Sequence, residues 1–124
     1  WNGGYTDTYA SGSGLFDGDG NCYRIRRSQG DCASCNAAEL CLDLPLGGYS
    51  DWYLPSKYEL NLMYQNIGQG NALGLGNLGN FANDFYWSST EFDTNFAWDI
   101  YFFNGFSYYD DKDYTGTVRA VRAF

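Results

Sequence analysis

Side chains that could recognise a ligand are concentrated in the last third of the chain. Residues 92–117 hold 10 of the 25 aromatic residues and 5 of the 12 aspartates within 26 positions. Aromatic rings give contact area at a low cost in conformational entropy, and short polar side chains between them add hydrogen bonds, as in an antibody paratope. The run Tyr101-Phe102-Phe103 also lacks the alternation that is typical of a half-buried strand. This composition predicts a ligand-binding surface.

Residue types that carry catalysis or hold metals are scarce. The chain has no histidine, which removes the commonest general base and metal ligand, and no serine stands in a nucleophile-elbow pattern. The run Asp110-Asp111-Lys112-Asp113 could form an acid/base or metal cluster. Neighbouring carboxylates on a strand point to opposite faces, however, so we expect a solvated loop tip. We therefore expect no enzyme, no cofactor and no metal site.

A second acidic run, Asp17-Gly18-Asp19-Gly20-Asn21, resembles the start of a calcium loop. Its sixth and twelfth positions, which need a glycine and an acidic residue, are Cys22 and Ser28. Because Asp-Gly steps form turns in their own right, we interpret this run as a tight turn.

The charge balance limits the partners of the chain. The formal net charge is −8 and the isoelectric point is about 4.1, which argues against nucleic acid, polyanions and anionic membranes. The longest apolar runs fall far short of the ~20 residues of a membrane-spanning helix, so we expect no direct membrane insertion. The chain starts at Trp1 without a methionine, and we expect it to be a domain of a longer or processed protein.

Four cysteines, Cys22, Cys32, Cys35 and Cys41, fall within 20 residues. An acidic, lysine-poor chain rich in Gly, Tyr and Asn is typical of extracellular proteins, where two disulfides are expected. Four cysteines allow three connectivities, and the sequence does not choose among them. The alternative is a structural zinc site, because Cys32 and Cys35 have the spacing of ligands. Irregular flanking spacings and the absence of histidine make disulfides the better interpretation.

We expect one domain spanning 1–124. Within it, two helices and several strands must position the candidate binding residues and the cysteines. Residues 1–21 indicate an edge strand followed by a long loop. A short helix over 36–44 can be capped by Asn36. A second helix starts at Ser56, which forms a capping box with Glu59, and ends at Gly68. The apolar stripes of the two helices are Ala37, Leu40, Cys41 and Leu44, and Leu60, Met63, Tyr64 and Ile67.

The region after the second helix indicates loop and then strands. Residues 68–84 form a loop whose apolar content (Leu73, Leu75, Leu78 and Phe81) is too high for disorder. Strands are expected at 86–90, 97–103 and 116–123, and Asn104-Gly105 is a hairpin signal between two of them. Helices early and strands late predict an α+β domain.

Two long motifs carry a resemblance to a known family. They are LGGYSDWYLPSKYEL at residues 46–60 and the frame YWSSTE…AW…F.NG…K…VRAVRAF within residues 86–124. Together they resemble the DUF1566 or Lcl C-terminal domain family, which is related to the C-type-lectin-like fold of formylglycine-generating enzymes. The resemblance is close over residues 37–124 and loose before them. It implies a C-type-lectin-like fold, with two helices packed on small antiparallel sheets. Formylglycine-generating activity is not implied, because the second half of the chain lacks the cysteine pair that it needs.

The C-terminal stretch also resembles the variable region of proteins diversified by bacterial and phage diversity-generating retroelements. Those systems mutate adenines in asparagine codons, so diversified positions exclude Met, Trp, Lys, Gln and Glu. The twenty positions between frame residues contain none of these five types. The resemblance implies a variable segment at about 92–117, displayed on one exposed ligand-binding face. It also implies a place outside the cell, on a cell surface or on a phage particle.

We expect the ligand-binding face to consist of Phe92, Asp93, Phe96, Asp99, Tyr101, Phe103, Phe106, Tyr108, Tyr109, Asp110, Asp113 and Tyr114. The predicted function is that of a receptor or adhesin domain for a protein or glycan ligand on another cell or surface. The alternative is a structural subunit of a fibre or pilus that uses the same surface for self-assembly, and a homo-oligomer is possible. Some family members bind sulfated glycans and trimerise, but Lys112, Arg119 and Arg122 are the few basic residues in this segment, which argues against a polyanion.

The frame residues are expected to hold the fold. Trp52, Trp87 and Trp98 are large core anchors in this interpretation, and Phe102 and Val118 are core residues. We expect Arg119 and Arg122 to pair with buried carboxylates or with backbone carbonyls, such as those near Asp51 or Glu91.

Overall fold

The computed structural model describes residues 1, 4–30 and 36–123. It contains α1 (Asp17–Gln29), α2 (Ala37–Leu42), a short 3-10 helix (Leu46–Gly48), α3 (Lys57–Ile67), β1 (Phe85–Glu91), β2 (Phe96–Tyr101) and β3 (Ser107–Asp111). Three α-helices and a three-stranded antiparallel sheet confirm the α+β class. None of the helices in these residues has the length and apolar character needed to cross a bilayer.

The sheet is a meander with the strand order β1-β2-β3. Across β1 and β2, Trp87 lies opposite Asp99, and across β2 and β3, Asp99 lies opposite Tyr108 and Trp98 opposite Tyr109. The register of β1 shifts between Trp87 and Glu91. Because β3 is an edge strand, its side chains have a neighbouring strand on one side only.

The helices cover the two faces of the sheet. On one face, Tyr86 and Ile100 pack with Leu60 of α3, and we call this the α3 face. On the other, Trp87 and Ala97 pack with α1 and α2, and we call this the α1 face. Alternation along the strands and the register place every strand side chain on one of these two faces.

Helix α3 forms as the sequence predicts. The Ser56 side chain accepts a hydrogen bond from the Glu59 backbone, Glu59 reaches back to the Ser56 N–H, and the helix ends before Gly68. The predicted apolar stripe is correct for the buried Leu60 but not at its end, where Ile67 is exposed. Ile67 is the last residue of α3.

Helix α2 is confirmed with a shorter C-terminal end. Asn36 caps it by accepting a hydrogen bond from the Glu39 backbone, and the helix ends at Leu42. Cys41 is buried, whereas Leu40 is exposed, so Leu40 does not belong to the buried stripe.

Helix α1 contradicts the predicted loop and tight turn. The acidic, glycine-containing run is the first part of a 13-residue helix. A Cβ added to Gly18 would lie 2.5 Å from Oε2 of Glu59 and 2.7 Å from the carbonyl oxygen of Leu54. A glycine with poor helix propensity is therefore needed where α1 approaches another backbone closely. Residues 17–29 form a helix because of their packing against distant parts of the chain, and local sequence propensity does not report that packing.

The strand predicted at 116–123 is also wrong. That segment forms only two isolated bridges, between Tyr86 and Thr117 and between Tyr53 and Val121. The partner of β2 is β3, and the turn predicted at Asn104-Gly105 joins them, with Gly105 at a φ of 76°. The residues directly after this turn therefore form the third strand, and the segment 116–123 does not.

The apolar residues predicted to pack outside the helices are buried to different extents. In the loop over 68–84, Phe81 is buried, but three leucines are exposed: Leu73, Leu75 and Leu78. Of the tryptophans, Trp87 is buried as predicted, whereas Trp52 and Trp98 are only half-buried. Phe102 is fully buried, as predicted.

The predicted disulfides stay a prediction, because only two of the four cysteines are described. Cys22 and Cys41 are buried free thiols, while Cys32 and Cys35 lie outside the described residues. The Leu54 backbone N–H donates to the Cys22 Sγ at 3.2 Å, so this sulfur is part of the packing between α1 and the chain before α3. Burial raises the pKa of the Cys22 thiol, and it raises the pKa of Cys41 to about 12. Both thiols are therefore protonated and unreactive near neutral pH.

Candidate ligand-binding site

The predicted binding residues lie on both faces of the sheet and not on one. Tyr108 and Tyr109 are neighbours on β3, so they point to opposite faces, and their exposed fractions are 46% and 48%. Both faces are open at this edge because the helices cover only the part of the sheet nearer β1 and β2. The single face that the resemblance implies is therefore replaced by two clusters.

The first cluster lies on the α3 face, and we call it the Trp98 cluster. Its members are Phe92, Phe96, Trp98 and Tyr109, with Lys57 from the first turn of α3. The Phe92 and Tyr109 rings stack at 4.1 Å between centroids. The Lys57 Nζ lies 3.3 Å from the centroid of the Trp98 ring, a cation–π contact, and burial lowers the pKa of this lysine.

Two members of the Trp98 cluster were not among the predicted site residues. Trp98 was assigned to the core because it belongs to the frame, and Lys57 lies in a different motif. The signal available for Lys57 was its position directly after the capping Ser56, which fixes it in the first turn of a helix. The register that brings that turn over Trp98 cannot be read from the sequence.

The second cluster lies on the α1 face, and we call it the Tyr101 pocket. It is a cavity of 220 Å³ lined by Tyr101, Phe103, Tyr108, Tyr109 and Asp110. The Tyr101 ring meets Tyr108 edge to face at 5.0 Å and Phe103 at 5.4 Å. The Tyr101 hydroxyl donates to Oδ2 of Asp110 at 3.4 Å. Phe85, which was not predicted, stacks on Tyr101 at 5.6 Å.

A buried carboxyl without a hydrogen-bond donor lies beside this pocket. Asp99 is fully buried, and among the described residues neither of its carboxyl oxygens has a hydrogen-bond partner. The indole N–H of Trp87, directly across the sheet, also lacks one. Burial, together with the adjoining carboxyl of Asp110, raises the pKa of Asp99 to about 8.

The remaining predicted residues lie outside the two clusters. Asp93 accepts hydrogen bonds from the backbone N–H groups of Asn95 and Phe96 at 2.8 and 2.9 Å, so it shapes the turn between β1 and β2. Phe106 is exposed in the next turn, and Asp113 and Tyr114 are exposed after β3.

The sequence predicted a solvated loop tip for the acidic run at the end of β3, and this prediction is wrong for Lys112. Lys112 is fully buried, and its Nζ donates to Oε2 of Glu91 at 2.6 Å and to the carbonyl oxygens of Thr6 and Thr94 at 2.9 Å. Burial by itself raises the pKa of Glu91, but the hydrogen bonds from Lys112 and Thr8 outweigh it and the pKa is lowered. Lys112 is therefore a structural cation.

The two arginines of the frame also have structural partners. Arg122 pairs with Asp51 through two hydrogen bonds of 2.8 Å, so the partner is the predicted one, but this carboxylate is exposed and not buried. Arg119 donates to the carbonyl oxygen of Gly79 at 3.0 Å, while Glu91 is bound by Lys112 instead. In the part of the chain that the structure describes, no group of three or more Cys, Asp or Glu side chains could hold a metal ion.

Fold and clusters together define an α+β domain that carries half-exposed aromatic residues at the open edge of a small antiparallel sheet. The model of the Lcl C-terminal domain family matches residues 8–122. The chain belongs to this family. No curated protein gives a significant match to the sequence.

Proposed function

We propose that the chain is a ligand-binding domain that recognises a protein or glycan through the Trp98 cluster and the Tyr101 pocket. The observation that carries the proposal is the exposure of neighbouring aromatic residues on both faces of β3, an edge strand. Exposed tyrosines and phenylalanines close together are typical of recognition surfaces.

The separation between buried and exposed residues supports this function. Phe102 is fully buried, whereas the next residue, Phe103, is 56% exposed. Trp87 and Lys112 of the frame are likewise buried, while Phe92, Phe106 and Tyr114 between the frame residues are exposed. Side chains of the second group can change with little effect on the core, which suits a variable binding surface.

The finer identity of the domain is part of the same proposal. We take the scaffold to be C-type-lectin-like and residues 92–117 to be the variable segment of a retroelement-diversified protein. The support is the frame of Trp, Gly and Lys residues, with exposed aromatic residues between its members. The domain would then act outside the cell, on a cell surface or on a phage particle, and its role would be binding and not catalysis.

A triple substitution tests the proposed function. The domain is first used to select binders from a glycan array and from a displayed peptide library. Tyr108→Ala, Tyr109→Ala and Tyr114→Ala are then combined, and we expect binding of the selected ligands to fall at least tenfold while the melting temperature stays within a few degrees. The matched control combines Tyr9→Ala and Tyr23→Ala, two exposed tyrosines far along the chain from β3, and it should retain binding. Equal binding by the triple variant and the control would refute the proposal.

Self-assembly through the same surface is the alternative function. Sedimentation of the wild-type domain and the triple tyrosine variant by analytical ultracentrifugation separates the two. A trimer or polymer that dissociates in the triple variant would support a structural subunit. A monomer in both proteins would support a binding domain.

A further inference from the structure

We propose that the Tyr101 pocket binds a cationic group, the ammonium or guanidinium of a basic side chain on a protein ligand. This inference rests on the proposed binding function and names the chemistry of one of its two clusters.

The walls of the pocket suit a cation. Tyr101, Phe103 and Tyr108 present three rings that meet edge to face, so they enclose a small space instead of stacking flat. The faces of such rings attract a positive charge that lies within about 6 Å of the ring centroid. Asp110 places a carboxyl in the same wall. Rings and a carboxyl together recognise a cation better than a neutral or an anionic group.

The unpartnered Asp99 is a second and independent observation. Its carboxyl is fully buried and receives no hydrogen bond from the described residues, although a buried carboxyl normally has donors. It lies next to Asp110, and the interaction between the two carboxyls contributes to its raised pKa. Apart from Asp99, the side-chain donor that reaches Asp110 among the described residues is the Tyr101 hydroxyl, at a long 3.4 Å. The raised pKa keeps Asp99 largely protonated near neutral pH, so its O–H is a donor towards Asp110. What the two carboxyls lack is a positive charge, and a bound cation at Asp110 would supply it.

Among the described residues, no lysine or arginine forms an ion pair with Asp99 or Asp110, and Arg24 of α1 donates to the carbonyl oxygen of Tyr9. Lys112 is held by Glu91 and Arg26 by Glu39, and Lys57 lies over Trp98 on the opposite face. Arg122 and Arg119 are bound near Asp51 and Gly79. No hydrogen bond or ion pair joins any of these groups to Asp99 or Asp110 in the described structure.

The charge of the whole chain favours a basic protein over a glycan as the ligand. A net charge of −8 attracts basic surfaces over a distance and repels acidic ones. A cavity of 220 Å³ accommodates the end of one side chain and not a sugar chain. We therefore assign the pocket to a lysine or arginine side chain.

Titration with small probes tests the inference without knowledge of the natural ligand. Isotope-labelled domain is titrated with Nα-acetyl-lysinamide and Nα-acetyl-argininamide, and chemical shifts are followed at Tyr101, Tyr108 and Asp110. Nα-acetyl-norleucinamide, which has a similar length without the charge, is the control probe. We expect saturable shifts with the two basic probes and none with the neutral one.

Variants locate the binding of the probes. Asp110→Asn should weaken the basic probes about tenfold, the change expected for the loss of one charged partner. Phe103→Ala should weaken them about threefold through the lost ring face, and because Phe103 is exposed this variant is expected to fold. Asp19→Asn makes the same charge change on the exposed surface of α1 and should have no effect.

The outcomes separate this inference from the function on which it rests. If library-selected ligands bind through the tyrosines but basic probes and the neutral probe behave alike, the cation pocket is refuted and the binding function stands. If neither Asp110→Asn nor Phe103→Ala weakens a basic probe that does bind, its site lies elsewhere and the inference is likewise refuted. Failure of the triple tyrosine test with intact probe binding would refute the function alone.

Discussion

Two buried carboxyls on neighbouring strands of the same sheet have opposite surroundings. Glu91, at the end of β1, accepts hydrogen bonds from Lys112, from the Thr8 backbone and hydroxyl, and from the Tyr9 backbone. Asp99, in the middle of β2, accepts none from the described residues. A buried charge with donors ties parts of the chain together. Asp99 has none, and its raised pKa keeps it largely protonated near neutral pH, as expected for a carboxyl buried without donors.

The difference separates the part of the sheet that holds the fold from the part that is available for recognition. Around Glu91, the N-terminal segment, the turn after β1 and the residue after β3 all meet at Lys112. Around Asp99, the open edge of the sheet carries the Tyr101 pocket. Proteins retain unsatisfied or strained groups mainly where function compensates for them, which is consistent with the proposed role of that edge.

The largest expected effect comes from breaking the Glu91 region. Lys112→Met leaves Glu91 buried without its cation, and the loss of one partner of a buried pair typically costs about 3–5 kcal/mol. We expect the free energy of unfolding, measured in urea, to fall by that amount. Adding Glu91→Gln should recover part of it, because no charge is then left unpaired. A loss below about 1 kcal/mol would show that the pair does not hold the fold.

Two adjacent phenylalanines allow the buried core and the exposed aromatic surface to be compared with the same Phe→Ala substitution. Phe102 is fully buried and Phe103 is 56% exposed. Phe102→Ala should cost about 3–5 kcal/mol, whereas Phe103→Ala should change stability by no more than about 0.5 kcal/mol. Thermal and urea denaturation of both variants measure this. Similar losses in the two variants would mean that the aromatic surface is part of the core.

The pH dependence of stability should have opposite signs at the two carboxyls. The raised pKa of Asp99 means that the folded state binds more protons than the unfolded state between its ordinary value of 3.8 and about 8. The stability contributed by this group is therefore present at low pH and lost as pH rises through that window. Glu91 has a lowered pKa, so its contribution is present above the ordinary glutamate value and lost only in acid.

The substitution Asp99→Asn isolates the pH-dependent stability that Asp99 contributes. Other groups that titrate in the same window are shared by wild type and variant, so the difference between the two proteins removes their effect. We expect the stability difference between Asp99→Asn and wild type to move in favour of the variant by at least ~1.4 kcal/mol, the equivalent of one pKa unit, between pH 5 and 8.5. Urea denaturation at four or five pH values measures it. A difference that does not vary with pH would contradict the raised pKa.

The sequence predicted those parts of the molecule that depend on local patterns. Ser56 and Glu59 define the start of α3, Asn36 caps α2, and Asn104-Gly105 marks the turn before β3, because each needs only residues within one turn. Helix α1 was missed because the reason for Gly18 lies in the close approach of Leu54 and Glu59, far along the chain. The division of the binding residues between two faces was missed because residues 107–111 were not predicted to be a strand, so the alternation of Tyr108 and Tyr109 was not applied.

The site was predicted in composition but not in arrangement. Asp99 was singled out as one exposed acidic residue among several, and only burial beside Trp87 and Asp110 distinguishes it from the others. Lys112 was interpreted as part of a solvated run, although its partner Glu91 lies 21 positions earlier. Charge pairing over such distances leaves no local pattern in a single sequence.

The smallest expected effect comes from a matched pair of hydroxyl deletions. The Tyr53 hydroxyl donates to Oε1 of the buried Glu59 at 3.0 Å, whereas the Tyr101 hydroxyl donates to Asp110 at 3.4 Å, beyond the usual O–H···O range. Tyr53→Phe removes a donor from a buried carboxylate and should cost about 1–2 kcal/mol. Tyr101→Phe should cost less than about 0.5 kcal/mol, since its ring contacts with Phe85 remain.

The order of these two losses decides how the Tyr101 pocket relates to the fold. Denaturation in urea at pH 7 measures both variants under the same conditions. If Tyr101→Phe is the milder change, the pocket wall is only weakly tied to the scaffold, and the long hydrogen bond leaves Asp110 free to accept a stronger donor from a ligand. If Tyr101→Phe is the more damaging change, Asp110 already has the donor that it needs. The pocket would then belong to the same class as Glu91, a satisfied carboxyl that holds the sheet together.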